Sequence, residues 1–368
     1  MKRRNFIKTA ITLPALTAFG SLVHSTTARA ADAVTPWANG TEWKLYEITH
    51  RVEVPPGDGA AQAWIPLPSV VSDYSRPLGN EWSSNVGVRL ERDTHYGSTA
   101  MLHAQMPAGD ATRWVEVTSR VMTRDRAVDL SRPQVFERMG EGELAEYLKG
   151  TELLPIGGIV KSTALKAVGK AKTDVDKARA IYEWIVDNTF RDPKTRGCGQ
   201  GDIKAMLETG NLSGKCADLN ALFVGMARAV GVPARDVYGL RMNPSKWGYR
   251  SMSASGNVTR AQHCRAEFYS ASHGWVPVDP ADVRKVVLEE PPGNLPVTDA
   301  KVKLAREKLF GAWEMNWLAY NYSHDIKLPN SKGSAIGFLM YPQVETATAR
   351  KDPYDPDNFK YVITSKVV

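Results

Sequence analysis

The 368-residue sequence has little cysteine and no long uninterrupted apolar run. Its three cysteines, Cys198, Cys216 and Cys264, are widely separated, and no Cys-x-x-Cys pair occurs. This spacing argues against a thioredoxin-like redox pair and against a four-cysteine zinc site. An odd number of cysteines leaves at least one thiol unpaired, and a Cys198–Cys264 disulfide with Cys216 free would fit that count.

The chain after residue 30 also lacks a strong positive net charge. The formal net charge is +7, but residues 1–30 contain five basic residues and no acidic one, and the rest of the chain has 42 basic and 40 acidic residues. No arginine-rich run with interleaved aromatic residues remains there. Nucleic acid is therefore not expected as a partner. The apolar fraction of 43% and charged fraction of 24% are typical of a globular protein.

Residues 1–30 have the pattern of a twin-arginine signal peptide. Residues 2–8 contain four basic residues, including Arg3-Arg4, an apolar segment follows at 10–23, and a small-x-small cleavage site ends at Ala30. The pattern predicts transient contact with the twin-arginine export machinery and export of the folded protein to the periplasm, or its secretion. The apolar segment is too short to span a bilayer, so no stable membrane insertion is expected after cleavage. The alternative is an uncleaved anchoring helix.

The rest of the chain has the pattern of an α+β protein. Residues 40–130 show runs of period-two alternation separated by turn residues, which predict an antiparallel β-sandwich. Residues 131–172 suggest a linker with short helices, and residues 173–368 a second domain. Strand-like runs at 336–341 and 359–364 are assigned to that second domain, and the polar segment 243–260 is interpreted as a flexible surface loop.

One helix of the second domain begins at a cysteine. From Cys216 to Val230 the apolar residues recur at three- and four-residue steps, which predicts one buried face, and Gly231 follows as a helix end. At the first turn, free N–H groups and the helix dipole favour a thiolate, and Lys215 adds a cation. These are the conditions that activate a thiol. The alternative is a small buried hydrophobic residue at a helix start.

A base and its orienting group could come from the two strands that follow this helix. His263 and Asp279 are on either side of a predicted hairpin, so that they can lie on neighbouring strands. A cysteine nucleophile needs such a pair. Each residue has a structural alternative, an exposed strand histidine or a turn cap. A metal site formed by His263, Cys264 and Asp282 is not supported by any known ligand spacing, so we expect no metal and no cofactor.

Three sequence blocks resemble the transglutaminase-like superfamily, whose members share a papain-like core. They are GKCADLNALFVGMARAVGVPAR at 214–235, HCRAEFY at 263–269 and GWVPVDPAD at 274–282. The resemblance implies that Cys216 is the nucleophile, His263 the base and Asp279 the orienting carboxylate, with the cysteine helix packed on an antiparallel sheet. It also implies that the preceding β-sandwich corresponds to the immunoglobulin-like accessory domain of many bacterial members.

The same resemblance suggests roles for further residues. Asp218, Arg235 and Glu267 are interpreted as structural support, and Gln200 as an oxyanion donor by analogy with papain-like enzymes. The sequence departs from the family pattern at Arg265, where an aromatic residue is common. We expect this arginine to form part of the wall beside the site and to favour an acidic or polar substrate group.

The function implied is that of a periplasmic cysteine-dependent amide hydrolase or protease. Its substrate would be a peptide or protein amide, and the reaction would pass through a thioester. One alternative is transglutaminase-type acyl transfer to an amine. Another is a non-catalytic scaffold that binds peptide or glycan.

Overall fold

The computed structural model describes residues 42–57, 59–93, 99–355 and 358–368. These residues fall within one compact unit that spans residues 36–368. The predicted signal peptide, residues 1–30, lies outside the described residues.

The described elements follow in chain order. The strands are β1 (Lys44–Val54), β2 (Ala61–Leu67), β3 (Ser75–Ser84), β4 (Gly87–Asp93), β5 (Thr99–Met106), β6 (Arg113–Thr123), β7 (Arg126–Ala127), β8 (Phe190–Arg191), β9 (Ser213–Gly214), β10 (Ala234–Arg241), β11 (Gly256–Asn257), β12 (Gln262–Ser270), β13 (Gly274–Val278), β14 (Ala312–Trp313), β15 (Trp317–Asn321), β16 (Gln343–Thr346) and β17 (Lys360–Val367). The α-helices are α1 (Glu141–Glu146), α2 (Gly158–Val168), α3 (Asp174–Asn188), α4 (Ile203–Thr209), α5 (Cys216–Ala229), α6 (Pro280–Glu289) and α7 (Ala300–Lys308), and a 3₁₀ turn covers Arg250–Met252.

Two antiparallel sheets form the β-sandwich. One has the order β11-β17-β1-β6-β3 and the other β16-β2-β5-β4. Strand β1 alternates between buried and half-buried residues because one of its faces packs on the opposite sheet. Apolar side chains from both sheets share one core. The α+β class and the antiparallel sheets are as the sequence predicts, and the likeness to an immunoglobulin-like domain stays a prediction.

The last two strands belong to the sandwich and not to the second domain. Strand β16 pairs with β2, and β17 pairs with β1 over eight residues. The assignment of 173–368 to one catalytic domain is therefore wrong at its C-terminal end. Residues 336–341 are not a strand; Ile336 makes only an isolated bridge to Ile326. Local alternation indicates that a segment is a strand, but it does not indicate which distant strand it will join.

A further antiparallel sheet carries the cysteine helix. Its order is β13-β12-β10-β15, and α5 packs against β12 and β10. Helices α2, α3 and α6 cover the rest of α5. All residues from Cys216 to Arg228 are consequently buried, whereas the sequence pattern predicts only one buried face.

The segment 243–260 is fixed at several points and is not a free surface loop. Tyr249 is buried, and its hydroxyl donates to the carbonyl of Lys301 at 2.9 Å. The N–H and hydroxyl of Ser251 donate to the Glu290 carboxylate at 3.0 and 2.8 Å. Strand β11 within this segment pairs with β17. The segment thus connects the second domain to the sandwich.

Within the described residues, no helix has both the length and the apolarity needed to cross a bilayer.

Gly239 in the middle of β10 gives a test of this packing. It lies opposite His263 in the sheet, and a Cβ at this position would overlap the Trp317 ring and the Leu318 carbonyl. Replacing Gly239 with alanine should therefore lower the free energy of unfolding by about 1–3 kcal/mol, measured by urea denaturation. A Cβ added to Gly142 in α1 would have no atom within 4 Å, so Gly142→Ala serves as the control and should not destabilise. Equal stability of the Gly239→Ala variant and the wild type would contradict this packing.

Candidate active site

The start of α5 is held by one buried carboxylate. Asp218 accepts backbone N–H groups from Lys215, Gln200 and Gly201, each at 2.9 Å. This arrangement fixes the loop that precedes α5 against the first helical turn. Burial raises the pKa of Asp218, and the three N–H donors oppose this shift. Asp218 thus lies in the first turn of α5, two residues after Cys216, where it supports the preceding loop.

Cys216 lies at the first position of α5, and its side chain is buried. The side chains of Cys198, Cys264 and His263 are its neighbours and interact with its sulfur. Burial raises the pKa of the Cys216 thiol, but hydrogen bonds from Cys198, Cys264 and His263 outweigh it, so that this pKa falls well below its usual value. The site therefore favours a thiolate at Cys216.

The other two cysteines are free thiols in this structure, and the Cys198–Cys264 disulfide considered from the sequence is not formed. The Cys198 thiol donates to the carbonyl of Gln262 at 3.2 Å and accepts the Tyr341 hydroxyl at 3.0 Å. Burial raises the pKa of both Cys198 and Cys264 well above the usual value. Both consequently remain protonated. Each thiol has a single proton, so Cys198 donates to Cys216 when its S–H turns away from the Gln262 carbonyl.

His263 lies near the start of β12 and contacts two carboxylates. Its Nε2 is 2.7 Å from Oδ2 of Asp279 and 3.4 Å from Oδ2 of Asp282. Burial lowers the pKa of His263, but the charges of Asp282 and Asp279 raise it to about 10. Since Nε2 faces the carboxylates, Nδ1 is the ring nitrogen left for Cys216. The hairpin of β12 and β13 brings His263 and Asp279 together, because Val278 pairs with Ala266 and Asp279 comes next.

Asp279 caps helix α6 as well as binding His263. Its Oδ1 accepts the N–H of Asp282 at 3.0 Å, and Pro280 occupies the first helical turn. The amide of Asn220 on α5 lies 3.4 Å from the same oxygen and also donates to the carbonyl of Cys264. Burial and the neighbouring Asp282 raise the pKa of Asp279. Asn220 thus links the cysteine helix to the strand and carboxylate of the site.

Sequence reasoning missed Arg241 and considered Asp282 only as a possible metal ligand. Arg241 Nη2 donates to Oδ1 and Oδ2 of Asp282 at 3.0 and 2.9 Å. Burial acts to raise the pKa of Asp282, but Arg241 and His263 hold it well below its usual range. The sequence signal was the Asp279-Pro-Ala-Asp282 spacing, which places both carboxylates in the first turn of α6.

Arg265 does not line the site as expected. Its side chain is 1% exposed, lies over the rings of Trp313 and Trp317, and donates to the carbonyl of Glu314 at 3.0 Å. Its Nε is 3.6 Å from Oδ2 of Asp279. Arg265 therefore supports Asp279 from the side away from the cavity, and it cannot select the substrate by contact.

A cavity of 470 Å³ adjoins Cys216 and His263. Its walls come from the loops before α5, from the segment 243–260 and from the chain that leads into β17. The residues that line it include Arg191, Lys215, Ser251, Arg260, Gln262, Tyr341, Tyr354 and Tyr361. The volume is typical of a pocket for a small ligand.

Gln200, the expected oxyanion donor, is not part of this cavity. It is exposed and lines a separate depression, and its described contact is the backbone N–H that binds Asp218. Gln262 does line the cavity. Its side chain is 7% exposed, and neither atom of its amide has a hydrogen-bond partner among the described residues. In the sequence, only the position of Gln262 next to His263 indicates that it could belong to the site.

Arg235 and Glu267 form an ion pair away from the cavity. Arg235 Nη2 lies 2.7 Å from Glu267, whose second oxygen contacts Arg126. The Arg235 guanidinium also stacks between Trp275 and Tyr322, at 3.8 and 3.7 Å from the ring centres. Both residues are thus placed where they hold β10 and β12 together.

His263, Asp279 and Asp282 could together offer ligands to a metal ion, because their donor atoms lie within 4.8 Å of one another. Both oxygens of Asp282 already accept from Arg241, and Asp279 accepts from His263 and from a backbone N–H. The charges of Arg241 and Arg265 oppose a further cation at this position. The geometry therefore suits an imidazolium better than a metal ion.

Comparisons with known proteins show which family part of this chain matches. The family model of the transglutaminase-like superfamily matches residues 161–280, which include Cys216, His263 and Asp279. An uncharacterized protein from Haemophilus influenzae is 35% identical over 380 residues and covers 98% of this chain and 100% of its own length. The crystal structure of a candidate cysteine protease from Cytophaga hutchinsonii has the same fold, with a TM-score of 0.50 at 13% identity, covering 89% of this chain and 99% of its own. The core of the chain, residues 161–280, therefore belongs to the transglutaminase-like superfamily.

Proposed function

We propose that this protein is a cysteine-dependent amide hydrolase that uses Cys216, His263 and Asp279. The observation that carries the proposal is the 2.7 Å contact between His263 and Asp279, with Cys216 and His263 lining the same cavity. Nucleophile, base and orienting group are arranged as acyl transfer requires. We further propose a periplasmic location, which is supported by the twin-arginine pattern of residues 1–30.

The first half of the reaction uses the thiolate and the imidazolium. The Cys216 sulfur attacks the amide carbonyl and forms a C–S bond. His263 gives its proton to the leaving nitrogen as the C–N bond breaks, which leaves a thioester and a free amine. Neutral His263 then takes a proton from water, the resulting hydroxide attacks the thioester, and the Cys216 thiolate leaves as the carboxylic acid is released.

The oxyanion that forms at each step needs hydrogen-bond donors. The backbone N–H of Cys216 is at the helix start, and among the described residues it has no hydrogen-bond acceptor. The N–H of the next residue is already bound by the carbonyl of Cys198 at 2.9 Å. The free Cys216 N–H is therefore the donor we assign to the oxyanion.

Hydrolysis can be distinguished from acyl transfer by measuring the new carboxylates and the amine-labelled peptides in the same reaction. A mixture of synthetic peptides is incubated with the protein in ¹⁸O-water together with an isotope-labelled primary amine, and the products are identified by mass. We expect ¹⁸O in newly formed carboxylates with the wild type, and no product with Cys216→Ser. Labelled amine in the peptides in place of ¹⁸O would show the transferase alternative, and peptide binding without either product would show a scaffold.

The role of Asp279 has a matched control in the chain. Asp279 and Asp299 both cap helices, α6 and α7, but only Asp279 contacts His263. Because asparagine is also a good helix cap, Asp279→Asn should fold and should lower kcat in this assay by about 10²–10⁴-fold. Asp299→Asn should leave kcat unchanged. Equal kcat values for both variants would remove Asp279 from the mechanism.

The effect of the neighbouring thiols is visible in the pH dependence of alkylation. Cys198→Ala removes one S–H donor that lowers the pKa of Cys216, so the rise in iodoacetamide rate with pH should move to higher pH. The rate at Cys216 is measured by peptide mass spectrometry from acid to neutral pH. Cys198→Ser keeps a donor and should restore the wild-type profile. An unchanged profile in Cys198→Ala would mean that Cys198 does not stabilise the thiolate.

A further inference from the structure

The cavity beside Cys216 is lined by an excess of positive charge. None of its lining residues is an aspartate or a glutamate. Five of them carry a cationic side chain on five different elements or loops, although the chain after residue 30 is almost neutral. These five residues are Arg191, Lys215, Arg241, Arg260 and Lys285. Positive charge is therefore concentrated here.

Three of these cations form ion pairs with carboxylates that do not line the cavity. Arg241 is paired with Asp282 in the bidentate contact described above. Arg191 and Lys285 share a single carboxylate, that of Glu289. Burial lowers the pKa of Lys285, and the charge of Arg191 lowers it further, as expected where cations outnumber carboxylates.

The other two cations have no acidic partner among the described residues. Lys215 is half-buried and immediately precedes Cys216, and Arg260 is exposed on the segment between β11 and β12. Both side chains line the cavity. An unpaired arginine and an unpaired lysine that line the same cavity as a nucleophile can together bind an anionic group.

The unpartnered amide of Gln262 provides a second and independent indication of a ligand. A buried side-chain amide without hydrogen bonds is costly, and native structures rarely leave one unsatisfied. Gln262 lies in the same cavity wall as Arg260 and His263. The amide atoms are not exposed in this conformation, so a ligand with acceptor oxygens would satisfy the N–H groups once the side chain turns toward the cavity, and it would satisfy the charges of Lys215 and Arg260 as well.

We propose that this cavity binds a peptide substrate through a carboxylate that lies close to the scissile amide, with Lys215, Arg260 and Gln262 as its binding residues. The carboxylate belongs to an acidic side chain or to a chain terminus, because these are the anionic groups of peptides. The proposal rests on the proposed function, since it takes Cys216 as the nucleophile. The tyrosines Tyr341, Tyr354 and Tyr361 form the wall against which the uncharged part of the substrate packs.

Two alkylating agents that differ mainly in charge test this proposal without a known substrate. Iodoacetate carries a carboxylate where iodoacetamide carries a neutral amide, and both react with the Cys216 thiolate. The measured quantity is the ratio of the two second-order rates at Cys216, compared with the ratio for the neutral reference thiol N-acetylcysteine amide. We expect the wild-type ratio to exceed the reference, and Arg260→Gln and Lys215→Gln each to lower it by about threefold or more.

Matched surface substitutions control for a general change in charge. Arg138 and Lys161 are exposed, lie outside the cavity lining and have no acidic partner among the described residues. Arg138→Gln and Lys161→Gln should leave the ratio unchanged. A ratio that neither cavity variant lowers would overturn the proposal. A slow iodoacetamide rate in the wild type, no faster than that of the reference thiol, would instead count against the activated nucleophile and hence against the proposed function.

Discussion

The site depends on one buried interaction, the contact of the His263 imidazole with two carboxylates. Asp279 and Asp282 are fully buried, and two carboxylates so close together are tolerated only because cations face them. Arg241 neutralises Asp282, Arg265 lies behind Asp279, and the imidazolium of His263 is a third cation, whose charge a thiolate at Cys216 balances. The protonated ring is then available to stabilise a thiolate at Cys216. Removing any one of these charges would leave an unpaired charge in the interior.

This charge cluster is assembled from elements that are far apart in the sequence. Helix α5 supplies the thiol, β12 the imidazole, the start of α6 both carboxylates, and β10 the balancing arginine Arg241. The amide of Asn220 ties the first three together. The cavity needs the sandwich as well, because Tyr354, on the chain leading into β17, and Tyr361, in β17, contribute to its wall. The sandwich thus completes the cavity beside Cys216.

The sequence was informative where chemistry is encoded locally. The helix start at Cys216 and the spacing of His263 and Asp279 predicted three residues that the structure brings together, and the alternating strands predicted the sandwich. It was misleading where the outcome depends on distant pairing. Strands β16 and β17 joined the sandwich, Arg265 turned away from the cavity, and Gln200 was used in the helix-start loop. Arg241 could not be linked to Asp282 because nothing local indicates that β10 lies beside α6.

The protonation state of His263 tests the central claim most directly. It can be followed by NMR in protein labelled at histidine carbon and nitrogen, with the His263 signal assigned by its loss in His263→Gln. Because its pKa is raised, the ring should remain an imidazolium through neutral pH and lose its proton only as the pH approaches about 10. Titration near the ordinary histidine value of about 6.5 would contradict the account, because the carboxylates would then not hold the proton on which the Cys216 thiolate depends.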